Sequence, residues 1–294
     1  MKIIRPRNNV IISLLAIIIA IVTILPIVFV FIISFSSEQS IVKRGYSFIP
    51  EELSLEAYTY LMASIDVIGR AFLLSLFIMV VGTALSLWLI STMAFAISRS
   101  ECRLQKLYML LIIIPMFFSG GLVASYVVNT QFLSMKNTVL ALILPGACSS
   151  WYILVMKTYF KHQIPEELLD AARTDGATTL SLFLQIVLPL SKPILVTVGI
   201  FEAFAYWNSW YYAMLYISQS HSELYPLQYV LYSIQKNIEF VSLNDRISGA
   251  VVRQLPTESF RMAVVVVITI PILIAYPLLN KYLEKGIMAG GLKG

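Results

Sequence analysis

Six apolar runs, each long enough to cross a lipid bilayer, constrain what this chain can fold into. The first, 10–35, contains no charged residue. A hydrocarbon core about 30 Å thick needs about 20 residues of helix, and inside lipid only helices and closed barrels satisfy the backbone. The other runs are of similar length and lie at 71–97, 107–128, 139–159, 194–217 and 262–283. The pattern predicts an all-α membrane protein with six transmembrane helices.

Composition agrees with a membrane protein and excludes other classes. Hydrophobic residues make up 59% of the chain and charged residues 13%, whereas soluble domains carry about 25% charged residues. The net charge of +5 is spread along short connecting segments, which argues against nucleic-acid binding. The first run is longer than the roughly 7 to 15 residues of a signal-peptide core, so a retained first span is expected.

The basic residues also predict the orientation. Of the 21 Lys and Arg residues, 13 fall on the N-terminal segment, the loop after the second run, the loop after the fourth run and the tail. Short loops rich in Lys and Arg stay on the cytoplasmic side. Both termini are therefore predicted to be cytoplasmic, in a multi-pass membrane protein.

A polar loop interrupts the apolar pattern at 163–193, QIPEELLDAARTDGATTLSLFLQIVLPLSKP. The proline and two glutamates at 165–167 suit the first turn of a helix. Gly176 can adopt the backbone angles of a tight turn, and a threonine at 178–179 can cap a second helix. Pro189 is expected to end that helix. The loop should therefore fold as helix, turn, helix.

The fifth run concentrates polar and aromatic side chains that could line a substrate path. Glu202 should lie about 12 Å inside the bilayer, where an acidic group costs on the order of 3 kcal/mol unless it faces a partner or water. At i, i+4 and i+8, Glu202, Tyr206 and Trp210 are expected to share one helical face. Sugar C–H faces stack on aromatic rings, and sugar hydroxyls need donors and acceptors. The candidate residues are Glu202, Tyr206, Trp207, Asn208, Trp210 and Tyr211. The alternative is that the rings are interfacial anchors.

Several of these segments resemble motifs of one family, in that family's order. Asp170-Ala171-Ala172, Gly176 and 186–189 (IVLP) match the spacing of the EAA motif of ABC importer permeases, with aspartate in place of the usual glutamate. The further matches are 94–99 to A-Y-A-x-S-R with Phe95 replacing tyrosine, 207–210 to W-N-x-[FW], and the tail to K-G-x-x-x-G-x-x-K-G. The chain thus resembles the maltose-type, carbohydrate-uptake permeases of binding-protein-dependent ABC importers.

That resemblance implies a type I importer permease fold over 1–294 as a single transmembrane domain. The 163–193 loop would be the cytoplasmic EAA coupling loop, and 218–260 an extracytoplasmic loop facing a solute-binding protein. The implied ATPase-coupling residues are Glu167, Asp170, Ala171, Ala172, Asp175, Gly176 and Ala177. The implied partners are a second homologous permease subunit and an ABC ATPase dimer that carries ATP and Mg. The implied substrate is a carbohydrate, either an oligosaccharide or a glycan fragment.

No catalytic residue, metal ligand or cofactor of its own is predicted for the chain, which has no G-x-x-x-x-G-K-[ST] nucleotide-binding loop. Other readings remain open. The 163–193 loop could be an ordinary amphipathic helix pair, and the importer could carry a solute that is not a sugar. A stand-alone secondary transporter would need charged pairs inside the spans, where only Glu202 stands out. A membrane enzyme would need a catalytic cluster, and none is visible.

Overall fold

The computed structural model describes residues 6–99, 101–243 and 258–274, and this part of the chain is predominantly helical. The helices in chain order are α1 (Pro6–Ser34), α2 (Glu38–Arg44), α3 (Glu56–Ala63), α4 (Ile65–Ser98), α5 (Gln105–Phe117), α6 (Gly121–Val127), α7 (Leu140–Gly146), α8 (Ser150–Gln163), α9 (Glu166–Thr174), α10 (Thr179–Leu190), α11 (Lys192–Trp207), α12 (Tyr211–Tyr216), α13 (Leu227–Leu243) and α14 (258–274). A π-helical turn, Val128–Phe132, follows α6, and a 3₁₀ segment, Gln219–Leu224, precedes α13.

Two of the described helices are long and apolar enough to cross a membrane by themselves. They are α1, over Val10–Ser34, and α4. Two further helix pairs reach that length only together, and both are bent: α7 with α8 by 51°, and α10 with α11 by 81°. The described residues thus provide two spans, or up to four if each bent pair is one. The sixth apolar run is helical as far as 274, and its remainder and the tail motif lie outside the described residues.

The third apolar run is broken between α5 and α6, close to Pro115 and to the two glycines after Ser119. Helix α5 continues two residues past Pro115, because a proline removes only one backbone hydrogen bond of the preceding turn. The chain leaves the helix at Phe118 and re-enters it at Gly121, whose φ of +82° lies in the left-handed region that glycine adopts without cost.

The fourth and fifth apolar runs do not form single unbroken helices. In the fourth, Pro145 lies in a 3₁₀ turn and the helix restarts only at Ser150. In the fifth, α11 ends at Trp207 and Asn208 caps it, with both the backbone N–H and the side-chain amide of Asn208 donating to the carbonyl of Phe204, at 3.1 and 2.9 Å. Glu202 and Tyr206 remain on one helical face, but Trp210 lies beyond this cap and does not share it.

Pro189 does not end α10, contrary to the sequence-based expectation. Residues Leu182–Val187 are π-helical, and Pro189 falls in the first turn of the short α-helical segment Leu188–Leu190 that follows. A proline is tolerated in a first turn because its missing N–H is not needed there. The helix therefore continues to Leu190, and Ser191 separates it from α11.

The chain divides into two compact units. The first comprises residues up to Val67 together with Ser233–Leu273. Within it, the carboxylate of Glu38 on α2 accepts hydrogen bonds from the backbone N–H groups of Glu258 and Ser259, at 3.0 and 3.1 Å. These are the first N–H groups of α14, which have no partner inside their own helix. Glu38 therefore caps α14.

The second unit, from Ile68 to Tyr232 with a C-terminal stretch, contains the larger apolar core and most of the candidate site. Its main cluster is formed by α4, α8, α9, α10 and α11. The fully buried members are Ile90, Ala94, Ile153, Met156, Phe160, Leu169, Leu182 and Val187. Helix α9 of the polar loop thus packs against the same core as the apolar helices, which explains why a loop so rich in charge is ordered.

Candidate functional site

Helix α9 presents one face to the core and another to the surroundings. Leu169 is fully buried, whereas its neighbour Leu168 is 43% exposed. Glu167, Asp170 and Ala171 are also exposed. A single fully buried leucine anchors the helix, and Glu167, Asp170 and Ala171 of the predicted coupling set lie on its exposed side.

The turn after α9 is a Schellman motif, in which a glycine at positive φ closes the end of a helix. The N–H of Ala177 donates to the carbonyl of Ala172 at 3.0 Å, and the N–H of Gly176 donates to that of Arg173 at 2.9 Å. Gly176 has a φ of +87°. Ala172 and Ala177 both pack on the main core cluster, which supplies the apolar contact typical of this motif. Asp175 is exposed just before Gly176. Thr178 then accepts a hydrogen bond from the N–H of Ser181 and caps α10.

The end of α4 is fixed to the end of α8 by the arginine of the A-F-A-x-S-R motif. Arg99 is almost completely buried, and its Nη2 donates to the carbonyl of Phe160 at 3.1 Å. Its guanidinium also lies 5.5 Å from the centroid of the Phe95 ring, the position where the family has tyrosine. Burial lowers the pKa of Arg99, and the charge of Glu166 opposes that shift. The motif thus holds the helix that leads into the 163–193 loop.

An ion-pair network connects α9 to the loop after α4. Arg173 pairs with Asp170 on its own helix at 2.8 Å. The Nη2 of Arg173 also donates to a carboxylate oxygen of Glu101 at 2.7 Å. These contacts give Asp170 and Glu101 a shared partner, and they orient α9 about the Leu169 anchor. Sequence reasoning missed Arg99, Glu101 and Arg173 because the partners are 61 to 72 residues apart.

The predicted substrate-path residues divide into two groups. Glu202, Tyr206 and Trp207 are buried in the packing of α11. The ring of Trp207 makes an edge contact with Phe72 of α4 at 5.7 Å. Asn208, Trp210 and Tyr211 lie instead at the break between α11 and α12, where Tyr211 is 42% exposed. The structure therefore does not bring all six together into one path.

Tyr206 links three helices through its ring and its hydroxyl. The hydroxyl donates to the carbonyl of Ile143 on α7 at 3.0 Å and lies 3.1 Å from the hydroxyl of Ser86 on α4. The Tyr206 ring passes so close to Gly82 that a Cβ there would meet three ring atoms at 2.7 to 2.9 Å. Gly82 and Ser86, one turn apart on α4, are the signal that sequence reasoning overlooked.

Comparison with known proteins identifies the family. No protein-family model matches the chain. The polygalacturonan/rhamnogalacturonan transport system permease protein YtcP of Bacillus subtilis is 35% identical over 281 residues, which cover 94% of each chain. Protein LplC of the same organism is 35% identical over 274 residues, covering 93% of this chain and 90% of LplC. The trehalose/maltose transport system permease protein MalG of Thermococcus litoralis is 27% identical over 286 residues, 95% of each.

A solved structure agrees with these relatives. A chain of a bacterial ABC transporter involved in the import of the acidic polysaccharide alginate superimposes with a TM-score of 0.79 at 26% sequence identity. The match covers 96% of this chain and 99% of that one. Together with the apolar helices, these matches make the protein an integral membrane protein and a transporter component rather than a catalytic chain. The chain belongs to the carbohydrate-uptake family of ABC transporter permeases.

Proposed function

We propose that this chain is one of two related permease subunits of a binding-protein-dependent importer that carries an oligosaccharide across the bacterial cytoplasmic membrane. It crosses the membrane six times with both termini in the cytoplasm. ATP and Mg are bound and used by a separate ABC ATPase dimer, and an extracytoplasmic solute-binding protein delivers the sugar to the side that includes the 218–260 loop. The names of the relatives support the substrate class, since they specify polygalacturonan, alginate, maltose and arabinooligosaccharides.

The observation that carries this proposal is the way α9 is held. Its inner face is fixed by Leu169 and by the Arg173 pairs, while Leu168 and Ala171 lie on its outer face. Leu168 is exposed on a short helix whose other face is fixed to the core. A partner protein that binds Leu168 could therefore move the whole helix. A displacement of α9 would pass directly into α8 and α10, because interiors packed at crystal-like density transmit strain.

The test is affinity purification of the tagged chain from its native membrane in mild detergent. We expect an ABC ATPase and a second permease to co-purify with the wild type. Leu168→Asp should lose the ATPase but keep the second permease, because a charge on the outer face of α9 opposes apolar docking. Leu53→Asp is the matched control, since Leu53 is an exposed leucine (76%) of the segment between α2 and α3.

Either of two results would contradict the proposal. Recovery of the wild-type chain alone, folded and stable, would favour a stand-alone transporter in which Glu202 is the coupling group. Retention of the ATPase by Leu168→Asp at the wild-type ratio would show that the outer face of α9 is not the docking surface. Uptake of a solute that is not a sugar by the purified complex would reject the substrate class alone.

A further inference from the structure

A continuous row of eight aromatic rings runs through the second unit, and we call it the aromatic ladder. Each ring lies next to the following one, with centroid separations between 4.5 and 6.3 Å. In spatial order the members are Tyr126, Tyr216, Tyr212, Tyr211, Trp210, Tyr232, Tyr229 and Tyr225. Aromatic side chains that only anchor a helix at the membrane interface do not have to contact one another in a row.

The ladder is assembled by the break after Asn208 and by two helices. In α12, Tyr212 and Tyr216 lie one turn apart and stack at 6.2 Å. Beyond the 3₁₀ segment, Tyr225, Tyr229 and Tyr232 follow at i, i+4 and i+7, a spacing that places them on one side of a helix. Trp210, in the break itself, stacks on Tyr232 at 4.5 Å with an angle of 23° between the rings. If the fifth span were an unbroken helix, the tyrosines of α12 would not be joined to the tyrosines that follow the 3₁₀ segment.

One end of the ladder opens into a cavity of about 640 Å³. Tyr211, Tyr212 and Tyr216 form one wall, and the broken third span, 119–121 with the turn that follows α6, forms the other. The volume falls within the range of about 300 to 1,000 Å³ that is typical of small-molecule sites. Gly120 and Gly121 carry no side chain, so the backbone itself borders the space and can approach a ligand closely.

Asn129 supplies a polar group at the aromatic wall. Its side-chain N–H donates to the hydroxyl of Tyr216 at 2.8 Å. No described residue donates to its side-chain oxygen, which is available to accept a hydrogen bond from a ligand hydroxyl. Ring faces beside a few fixed donors and acceptors are what a sugar requires, because its C–H faces stack while its hydroxyls must be paired. A purely apolar solute would leave the side-chain oxygen of Asn129 without a hydrogen-bond donor.

We propose that the cavity and the aromatic ladder form an oligosaccharide-binding track in this subunit. One sugar unit would stack on Tyr211 and Tyr212 beside Asn129, and further units would extend along Trp210, Tyr232 and Tyr229. This inference rests on the proposed function and deepens it. It places sugar contacts in this chain and moves them away from the buried Glu202, Tyr206 and Trp207, which hold α11 in place instead.

The experiment uses the complete importer with its binding protein in proteoliposomes, supplied with oligogalacturonides and maltooligosaccharides of two to six units. Tyr211→Ala should raise the transport KM about three- to tenfold, as expected for the loss of one aromatic stack. Tyr211→Phe keeps the ring and should stay near the wild type. Tyr108→Ala is the matched control, because Tyr108 is 44% exposed but lies on α5, outside the ladder.

Chain length distinguishes sugar contact from a structural role. Tyr229→Leu removes a ring of the ladder that does not line the cavity, so it should raise KM for five- and six-unit sugars but leave KM for two-unit sugars unchanged. A variant that merely folds less well would change all lengths equally and would lower kcat. For each variant complex, the thermal unfolding midpoint in detergent is measured together with the KM.

The outcomes separate the track from the proposed function. If the wild-type complex transports neither sugar series and its ATPase is not stimulated by loaded binding protein, the proposed function fails and the track fails with it. If the wild type transports sugar but Tyr211→Ala and Tyr229→Leu keep the KM of Tyr108→Ala at every length, the function stands and the track is refuted. A length-dependent rise in KM for Tyr229→Leu supports the track.

Discussion

The close contact between Gly82 and the Tyr206 ring gives a quantitative prediction for Gly82→Ala. The new methyl group would lie 2.7 to 2.9 Å from three ring atoms, well inside van der Waals contact. The ring has little freedom to move, because Tyr206 is buried. Its hydroxyl is held by Ser86 and by a carbonyl of α7.

The expected loss of stability follows from three contributions. Overpacking of a filled core costs about 1 to 3 kcal/mol. If the ring shifts, two hydrogen bonds worth about 1 kcal/mol each are lost. The higher helix propensity of alanine returns about 1 kcal/mol. The net cost is therefore about 2 to 4 kcal/mol, or about 4 to 16 °C in thermal midpoint at the roughly 2 to 4 °C per kcal/mol of a large domain.

The assay is a thermal unfolding series in one detergent at one scan rate, with Gly69→Ala as the control. Gly69 lies in the same helix, and a Cβ there would meet no atom within 4 Å. That variant should be as stable as the wild type or slightly more stable. The double variant Gly82→Ala with Tyr206→Ala should cost less than the sum of the two single changes, because removing the ring removes the collision. Equal midpoints for Gly82→Ala and Gly69→Ala, or strict additivity, would refute the reasoning.

Three further predictions concern the 163–193 loop and the first unit. Leu169→Ala should cost about 2 to 5 kcal/mol locally and expose the loop to proteolysis, whereas Leu168→Ala, at a surface position, should change the cleavage rate little. Gly176→Ala should lower the thermal midpoint through about 1 to 2 kcal/mol of strain at its φ of +87°, and Gly176→Asn should lower it less, since asparagine tolerates that region. The hydrogen bond to Glu258 raises the pKa of Tyr46 to about 12, so its stabilisation is complete below about pH 10 and disappears as the pH rises through 12. The advantage of the wild type over Tyr46→Phe in unfolding midpoint should therefore vanish between those pH values; an advantage that persists above pH 12 would contradict this assignment.

Features that depend on a few neighbouring residues were predictable from the sequence. The turn after α9 follows from Gly176 alone, because only a residue that accepts positive φ closes a Schellman motif cheaply. Thr178 caps α10 as one of the two expected threonines. The break near 119–121 follows from its glycines. A Cβ at Gly176 would meet nothing within 4 Å, so the cost of a substitution there comes from backbone strain and not from a collision.

Features that depend on distant contacts were not predictable from one sequence. At the interruption, the side-chain amide of Asn208 donates to the carbonyl of Phe204, and apolar periodicity does not record such a cap. Without this break, Trp210 seemed to belong with Glu202. Its actual neighbour in the ladder, Tyr232, lies 22 positions along the chain and beyond a polar segment. The roles assigned to the site residues stay predictions, although their positions are now defined.

The packing of the second unit offers a continuous route from the 163–193 loop to the break at Asn208. Leu169 of α9 and Val198 of α11 belong to the same buried cluster, so a movement of the loop is expected to displace the inner part of α11. Farther along α11, the Tyr206 ring is held against Gly82 with no space between them. A rigid helix fixed at both places transmits a displacement rather than absorbing it. The change in direction must then occur at the next place where the helix is interrupted, which is Asn208, immediately before the aromatic ladder.

Gly82→Ala consequently tests more than stability. At a temperature where the variant stays folded, a displaced Tyr206 should weaken the link between ATP hydrolysis and sugar uptake, which is measured as more ATP consumed per sugar transported. An unchanged ratio would show that movement reaches the ladder by another route.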